Sequence, residues 1–491
     1  MKKLLLISCL VTPCMVTQLA YADTQYKTSQ TFMTIDPFYH HVGATSFLWR
    51  TVVADKNEDG TGAFRAMPFY QRSLQRCDDG SYFLIDCKNS ILVAGDASPL
   101  NLKRDVRAEW LNLPSTFSGY LSLHPQEEQY GAVLSYNHSL KELIGSNLLE
   151  NSWVDITIPF GCTTHKLHPC EYDLHVSTTP APAQPSTIIE ALNQPAFLYG
   201  KFSPCKMKKS GMAEVQLTWG TTFINRDDFL LTYYTTFVIP GNTRPEARRL
   251  FQPTLGSNGH FGLNAGLNVE LPLQEEDQDF SFKLFASGEN HFLFKRKQWR
   301  SFDLRERVTA EQPNGSFGRK QWSRFLILRH ETDFALEPGI NLLTQKVEVY
   351  PQSSFNLATG FLWHYCSLTA ELGYQLTARQ SECVRLLLPG CEGSRMPFEE
   401  YGIAGSASDA TASSSTIAAQ GPDDKTFVNL TWNDVNRTSA EGRSAFVQGV
   451  HVAFGINKGN FFAGIGGFFE QPNTNTDLSK WAVWLNAGAH F

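Results

Sequence analysis

The clearest order in the chain is an alternation of apolar with small or polar side chains over stretches of about ten residues. Phe261, Leu263, Ala265, Leu267, Val269 and Leu271 interleave with Gly262, Asn264, Gly266, Asn268 and Glu270, and His260 precedes them in the same phase. The same period of two sets Val215, Leu217, Trp219, Thr221 and Phe223 against Glu214, Gln216, Thr218 and Gly220. It also sets Val450, Val452, Phe454 and Ile456 against His451, Ala453 and Gly455. Successive side chains on a strand point to opposite faces, so each run predicts a strand with one greasy and one wet face. The second face of a soluble sandwich is normally richer in charged and β-branched residues. Gly, Asn and His in that place predict lipid outside and water inside.

The last eleven residues, Trp481 to Phe491 (WAVWLNAGAHF), repeat the pattern and stop on an aromatic. Trp481, Val483, Leu485, Ala487, Ala489 and Phe491 share one face, and Trp484 is the single large apolar side chain out of phase. At ~3.3 Å per residue and a tilt of ~45°, about ten residues cross an apolar band of ~25 Å. Before it, a strand ending at Ile456 turns through Asn457 to Asn460 into Phe461–Phe469, whose aromatics fall on both faces and leave its phase open. Further strands are predicted near Val42–Val53, Thr116–Leu123, Tyr130–Tyr136, Trp153–Ile158, Phe229–Ile239, Phe280–Ser287, Phe325–Phe334, Leu342–Tyr350, Thr359–Leu376 and Thr426–Trp432. The expectation is all-β: a transmembrane antiparallel β-barrel of about 14 strands, range 12 to 16, with long loops and a short helix.

That helix is expected after the Pro-rich spacer 178–186, with Ser186 as N-cap and Ile188, Ile189 and Leu192 on one side, in the periplasm or packed in the lumen. Residues 404–424 are too small and polar to bury much apolar area. Counting strands back from Phe491 puts that stretch on the short-turn side, unless a further strand lies near Phe398–Ile403.

The amino end adds a compartment. Lys2 and Lys3, the apolar run from Leu4 and the Ala20-Tyr21-Ala22 site predict a signal peptide over 1–22, leaving a barrel over 23–491 with no separate globular domain. No later run of eighteen apolar residues exists, so spanning helices are excluded. A net charge of −6 gives no attraction for nucleic acid. Eight cysteines remain, for which Cys77–Cys87, Cys162–Cys170 and Cys383–Cys391 are short-range disulfide candidates, with Cys205 and Cys366 paired across the fold or free.

Few residues suggest chemistry. Asp55, Asn57, Asp59 and Gly60 begin a calcium loop, but Ala66 stands where its bidentate Glu belongs. Cys162, His165, His168 and Cys170 are zinc-ligand types, although Cys-x7-Cys in an oxidising compartment more often closes a disulfide. Asn137, His138 and Ser139 have hydrolase residue types, but neighbours on a strand face opposite ways. No catalytic set, metal site or cofactor motif is predicted. The basic run Lys295, Arg296, Lys297 and Arg300, with Arg305, Arg307, Arg319, Lys320 and Arg324 beyond it, reads as a solvated loop. Its alternatives are an anion-favouring pore lining or a contact for lipopolysaccharide.

The alternating strands, the amino-terminal segment and the terminal Phe491 resemble Gram-negative outer-membrane β-barrel proteins. Length makes the chain similar to porin-like or fatty-acid-transporter-like barrels, without a motif that selects either. The resemblance implies the cell outer membrane, contact with the lipid bilayer, and assembly by the barrel-assembly machinery through the C-terminal strand. The leading expectation is a passive channel for small solutes whose lumen is lined by His260, Asn264, Asn268 and Glu270. The alternative is a structural or adhesive surface protein with a closed barrel.

Overall fold

The computed structural model describes residues 29–46, 62–144, 151–176, 184–226, 229–241, 243–274, 280–305, 321–387, 400–404 and 427–491. The signal segment, the calcium-type loop, Cys391 and most of 404–424 lie outside them.

Twelve strands form the wall: β1 (Gly62–Ser73), β2 (Gln126–Ser139), β3 (Ser152–Lys166), β4 (Glu214–Arg226), β5 (Phe229–Pro240), β6 (Gly262–Pro272), β7 (Phe280–Leu293), β8 (Ser353–Tyr365), β9 (Leu368–Arg379), β10 (Ala445–Lys458), β11 (Phe461–Pro472) and β12 (Lys480–His490). Each pairs antiparallel with the next, and β12 pairs with β1, so the ring closes and no edge faces lipid. The count sits at the low end of the expected range for identifiable reasons. Thr116–Leu123, Phe325–Phe334, Leu342–Tyr350 and Thr426–Trp432 do contain strand, but outside the ring. Thr359–Leu376 is a hairpin broken at Cys366, which has φ 53°. Val42–Val53 begins as a short helix, Val42–Ser46, and the alternation of β1 is hard to read because Pro68 and Arg72 stand on its outer face and Met67 and Phe69 on its inner one.

The connections sort by length. At one end they are 227–228, 366–367, 459–460, 273–279 and 140–151. At the other, six run over 74–125, 167–213, 241–261, 294–352, 380–444 and 473–479, and all but the last are longer than any at the first end. Outer-membrane barrels keep short turns in the periplasm and long loops outside, which orients the ring. The connection between β9 and β10 is therefore on the extracellular side, and of the stretch 404–424 only Ala404 is among the described residues. The strand sought near Phe398–Ile403 exists as Tyr401–Ala404, but it pairs with Phe427–Asn429 instead of joining the wall.

The long connections build a cap with its own apolar core, in which Phe83, Phe117, Phe202, Phe302, Trp322 and Phe325 are fully buried. The helix Ile188–Leu192 belongs to it. Thr187, one residue after the expected Ser186, is the N-cap, and Ile188, Ala191 and Leu192 are buried in the cap rather than in the lumen or periplasm.

Side-chain direction follows the alternation. Leu217, Trp219, Leu263, Leu267, Val450, Phe454, Val483 and Leu485 are exposed on the outer face, where lipid would cover them. The inward face holds glycines paired with rings. A Cβ on Gly466 would collide with the indole of Trp484, its partner on β12, and one on Gly220 would collide with Trp153 across the β3–β4 pair. Gly266 seats Tyr234, and Gly488 seats Phe462, in the same way. Trp484 is thus out of phase because it points into the barrel, and Phe462 and Phe468 explain the two-faced pattern of β11.

Candidate functional site

The lumen is threaded by the chain's own residues 29–46. They start in the extracellular cap, where Gln30 donates its N–H to the Tyr82 carbonyl (3.0 Å) and Thr31 to that of Ser439 (2.8 Å). They end deep in the ring, where Arg65 Nη1 donates to the Thr45 carbonyl (2.6 Å) near the periplasmic end of β1.

Both apolar and charged contacts hold the segment. Phe38 is fully buried, stacked on Phe69 with ring centres 4.3 Å apart, and reaches Phe468 and Trp484 at 6.1 and 5.9 Å. Asp36 pairs with Arg379 (2.7 Å), which also contacts Asp477 (3.4 Å). His40 Nε2 lies 3.0 Å from Glu214 Oε1, and His41 Nδ1 lies 3.3 Å from Glu470, which Lys480 also pairs at 3.1 Å. Tyr39 Oη accepts from the Gly256 N–H (2.8 Å), and Asn356 Nδ2 donates to the His40 carbonyl (3.1 Å).

Beside the segment's lower half, residues 34–45, lie two cavities, apart from a smaller one in the cap against Thr31, Phe32 and Met33. The lower one, about 130 Å³, lies between Tyr39, His40, Val42, Thr45 and strands β1 to β7. The upper one, about 50 Å³, is bounded by Thr34 to Pro37 and opens toward the cap. His40 and His291 line both, so their rings, with centres 5.4 Å apart, form part of the partition. Behind it, Glu289 pairs with His291 (3.0 Å) and accepts from Tyr234 Oη (2.7 Å) and Asn264 Nδ2 (2.9 Å).

The four candidate lumen residues all face inward. Asn268 and Glu270 line the lower cavity and His260 the upper one, while Asn264 is buried against Glu289. His260 sits in the connection above β6, where Nδ1 lies 2.7 Å from the Phe294 carbonyl and Nε2 2.7 Å from Gln298. Burial holds its imidazole below the ordinary histidine range.

The basic run is not a ring around the pore. It sits in the cap on strand Arg296–Ser301, paired with Thr344–Tyr350. Lys295 and Lys297 are exposed, and Arg296 lies over Phe261. Arg300 is buried, bonded to Glu382 at 3.1 Å and stacked on Phe32 of the threaded segment, so it is not part of a solvated loop either.

The disulfide expectations are corrected among the described residues: Cys77, Cys162, Cys170, Cys205, Cys366 and Cys383 carry free thiols, so Cys77 does not bridge to Cys87 nor Cys162 to Cys170, and Cys391 lies outside those residues. Cys162 is in the barrel wall and Cys170 in a cap sheet, while Cys205 and Cys366 stand at opposite ends of the ring. The zinc-type quartet is dispersed likewise: His165 stacks on Phe251, and no metal-ligating group of three exists among the described residues. Asn137 faces the lumen, and His138 sits beside Tyr136 on the outer side. Sequence reasoning missed His40, His41 and Glu214 as a unit, because Val42 and its neighbours resembled a strand.

The closed ring and its apolar exterior define an outer-membrane β-barrel, placed in the cell outer membrane of a Gram-negative bacterium. The sequence matches no protein-family model and no curated protein. Among solved structures, an outer-membrane channel from Pseudomonas putida F1 is similar at 7% identity and TM-score 0.37, with 88% of this chain and 98% of that one covered. A TodX monoaromatic hydrocarbon channel mutant matches at 7% identity and TM-score 0.34 (88% and 90%). The CymD monoaromatic hydrocarbon channel matches at 7% identity and TM-score 0.30 (92% and 94%).

Proposed function

We propose that this barrel is an occluded outer-membrane channel for small solutes, opened when residues 36–46 move aside. The observation that carries the proposal is the pair of cavities, one above and one below, divided by side chains of a single threaded segment. A wall built only for strength has no need of space on both sides of a removable partition. The segment is held at its centre by hydrogen-bonded and ionic pairs as well as by packing. When the segment moves aside, water rehydrates these charged groups and relieves the desolvation penalty that offsets the buried pairs, whereas a continuous hydrophobic core has no such compensation.

No chemical reaction enters this proposal. The lipid bilayer surrounds the barrel. Assembly through β12 by the barrel-assembly machinery and contact of Lys295 and Lys297 with lipopolysaccharide are parts of the same proposal.

Proteoliposome swelling tests it. Vesicles carrying the full chain should admit small neutral solutes slowly, and His40→Ala should raise the rate several-fold. Vesicles that stay impermeable with both proteins would favour a closed structural barrel whose cap meets partners. The size of that cap and its separate core are the observations behind this second reading.

A further inference from the structure

We propose that the lower cavity is a binding site for a small organic ammonium ion with an apolar body of about one aromatic ring. This deepens the channel proposal, because it names the class of solute the lumen would admit.

Size comes first. An apolar cavity of roughly 150 Å³ holds benzene, and this one measures about 130 Å³ with an open side. Its charge is weighted to acid: with His291 paired to Glu289, and His40 to Glu214 outside the lining, the carboxylates of Asp155 and Glu270 stand against the single guanidinium of Arg65.

Register places these acids on one part of the wall, on β3, β4, β6 and β7. Glu214 is at the top, opposite Pro240. Asp155 shares a rung with Thr218 and Thr236. Glu289 follows on the rung Trp153–Gly220–Tyr234–Gly266. Asn268 comes next, opposite Thr232, and Glu270 lies below, opposite Leu230.

The walls suit the apolar part. Trp153 and Tyr234 lean over glycines on the adjacent strands and present aromatic surface to the space, which favours a cation with an organic body over a hydrated metal ion. Threonine hydroxyls and the Asn268 side-chain carbonyl supply acceptors for an ammonium group. Asn268 Oδ1 is buried without a hydrogen-bond partner among the described residues, so an incoming N–H donor would satisfy it. An anion would meet the carboxylates instead and be repelled.

Calorimetric titration of the full-length protein in detergent tests the assignment, with benzylammonium as probe and benzyl alcohol and benzoate as neutral and anionic comparators. Benzylammonium should bind at least tenfold more tightly than benzyl alcohol, and benzoate should not bind. Glu270→Gln and Asp155→Asn should each weaken benzylammonium about tenfold and leave benzyl alcohol unchanged, with folding of each variant checked by heat-modifiable gel mobility. Equal binding of the alcohol and the ammonium, full affinity in both folded variants, or no binding to the wild-type protein would overturn it. The titration involves no transport. Binding without permeation would therefore refute only the channel, and permeation without binding only this site.

Discussion

His40 Nε2 sits 3.0 Å from Glu214 Oε1, joining the threaded segment to the first residue of a wall strand at the partition between two cavities. Removing either partner leaves the other buried without its ion-pair partner, which favours conformations with the segment displaced. Glu214→Gln and His40→Ala should each increase solute entry, and the double variant should exceed the larger single effect only slightly. The shortfall from additivity measures the pair's coupling, expected at about 0.5–3 kcal/mol. Full additivity in swelling rates would mean that the two side chains act separately.

Gly466 makes room for Trp484 across the β11–β12 pair. Gly466→Val would drive the indole toward Phe38 and Phe468, and overpacking of this kind costs about 1–3 kcal/mol. Urea unfolding of the reconstituted barrel should report that loss. A valine at the outward Ala487 should cost far less, because its side faces lipid.

Arg300 and Glu382 form a buried pair in the cap, with side chains 1% and 5% exposed. Arg300→Gln should destabilise the cap by about 3–5 kcal/mol, since it strands a buried carboxylate. Limited proteolysis should then release the segment near Phe32, which packs on the guanidinium. Lys295→Gln and Lys297→Gln should change stability by less than about 0.5 kcal/mol, and ion selectivity should not move. Altered selectivity in these two would place them on the permeation path.

Asp79 lies in the extracellular cap, where burial raises its carboxyl from 3.8 to about 6 despite the N–H donated by Arg76. The folded state binds this proton more tightly than the unfolded state. Its stabilising contribution is therefore complete below about pH 4 and is lost as pH rises through about 6. Asp79→Asn should flatten the fall in cap stability across that interval, as read by urea midpoints at several pH values. An unchanged slope would remove Asp79 as its source.

The wall was legible wherever one face was greasy and the other small or polar, as in Phe261–Leu271 and Trp481–Phe491. The interior was harder. Trp484, Phe462 and Phe468 look like errors of phase until the glycines and the threaded Phe38 are placed around them, and those partners are distant in sequence. Cap strands such as Thr344–Tyr350 carry the same period-two signal as wall strands, because a half-buried sheet imposes it whether the outside is lipid or water. Of the site, Asn268 and Glu270 were visible as wet positions on a wall strand. His40 was not, since no local pattern marks a segment whose partners are strands far along the chain.

Single-channel recording in planar bilayers bears most directly on the occluded lumen. The wild-type barrel should be closed for most of the record with brief discrete openings, and His40→Ala should lengthen the open intervals without changing the trimmed baseline. A steady large conductance from the wild-type protein would contradict occlusion by residues 36–46. Silence from both proteins, once folded, would contradict the channel itself.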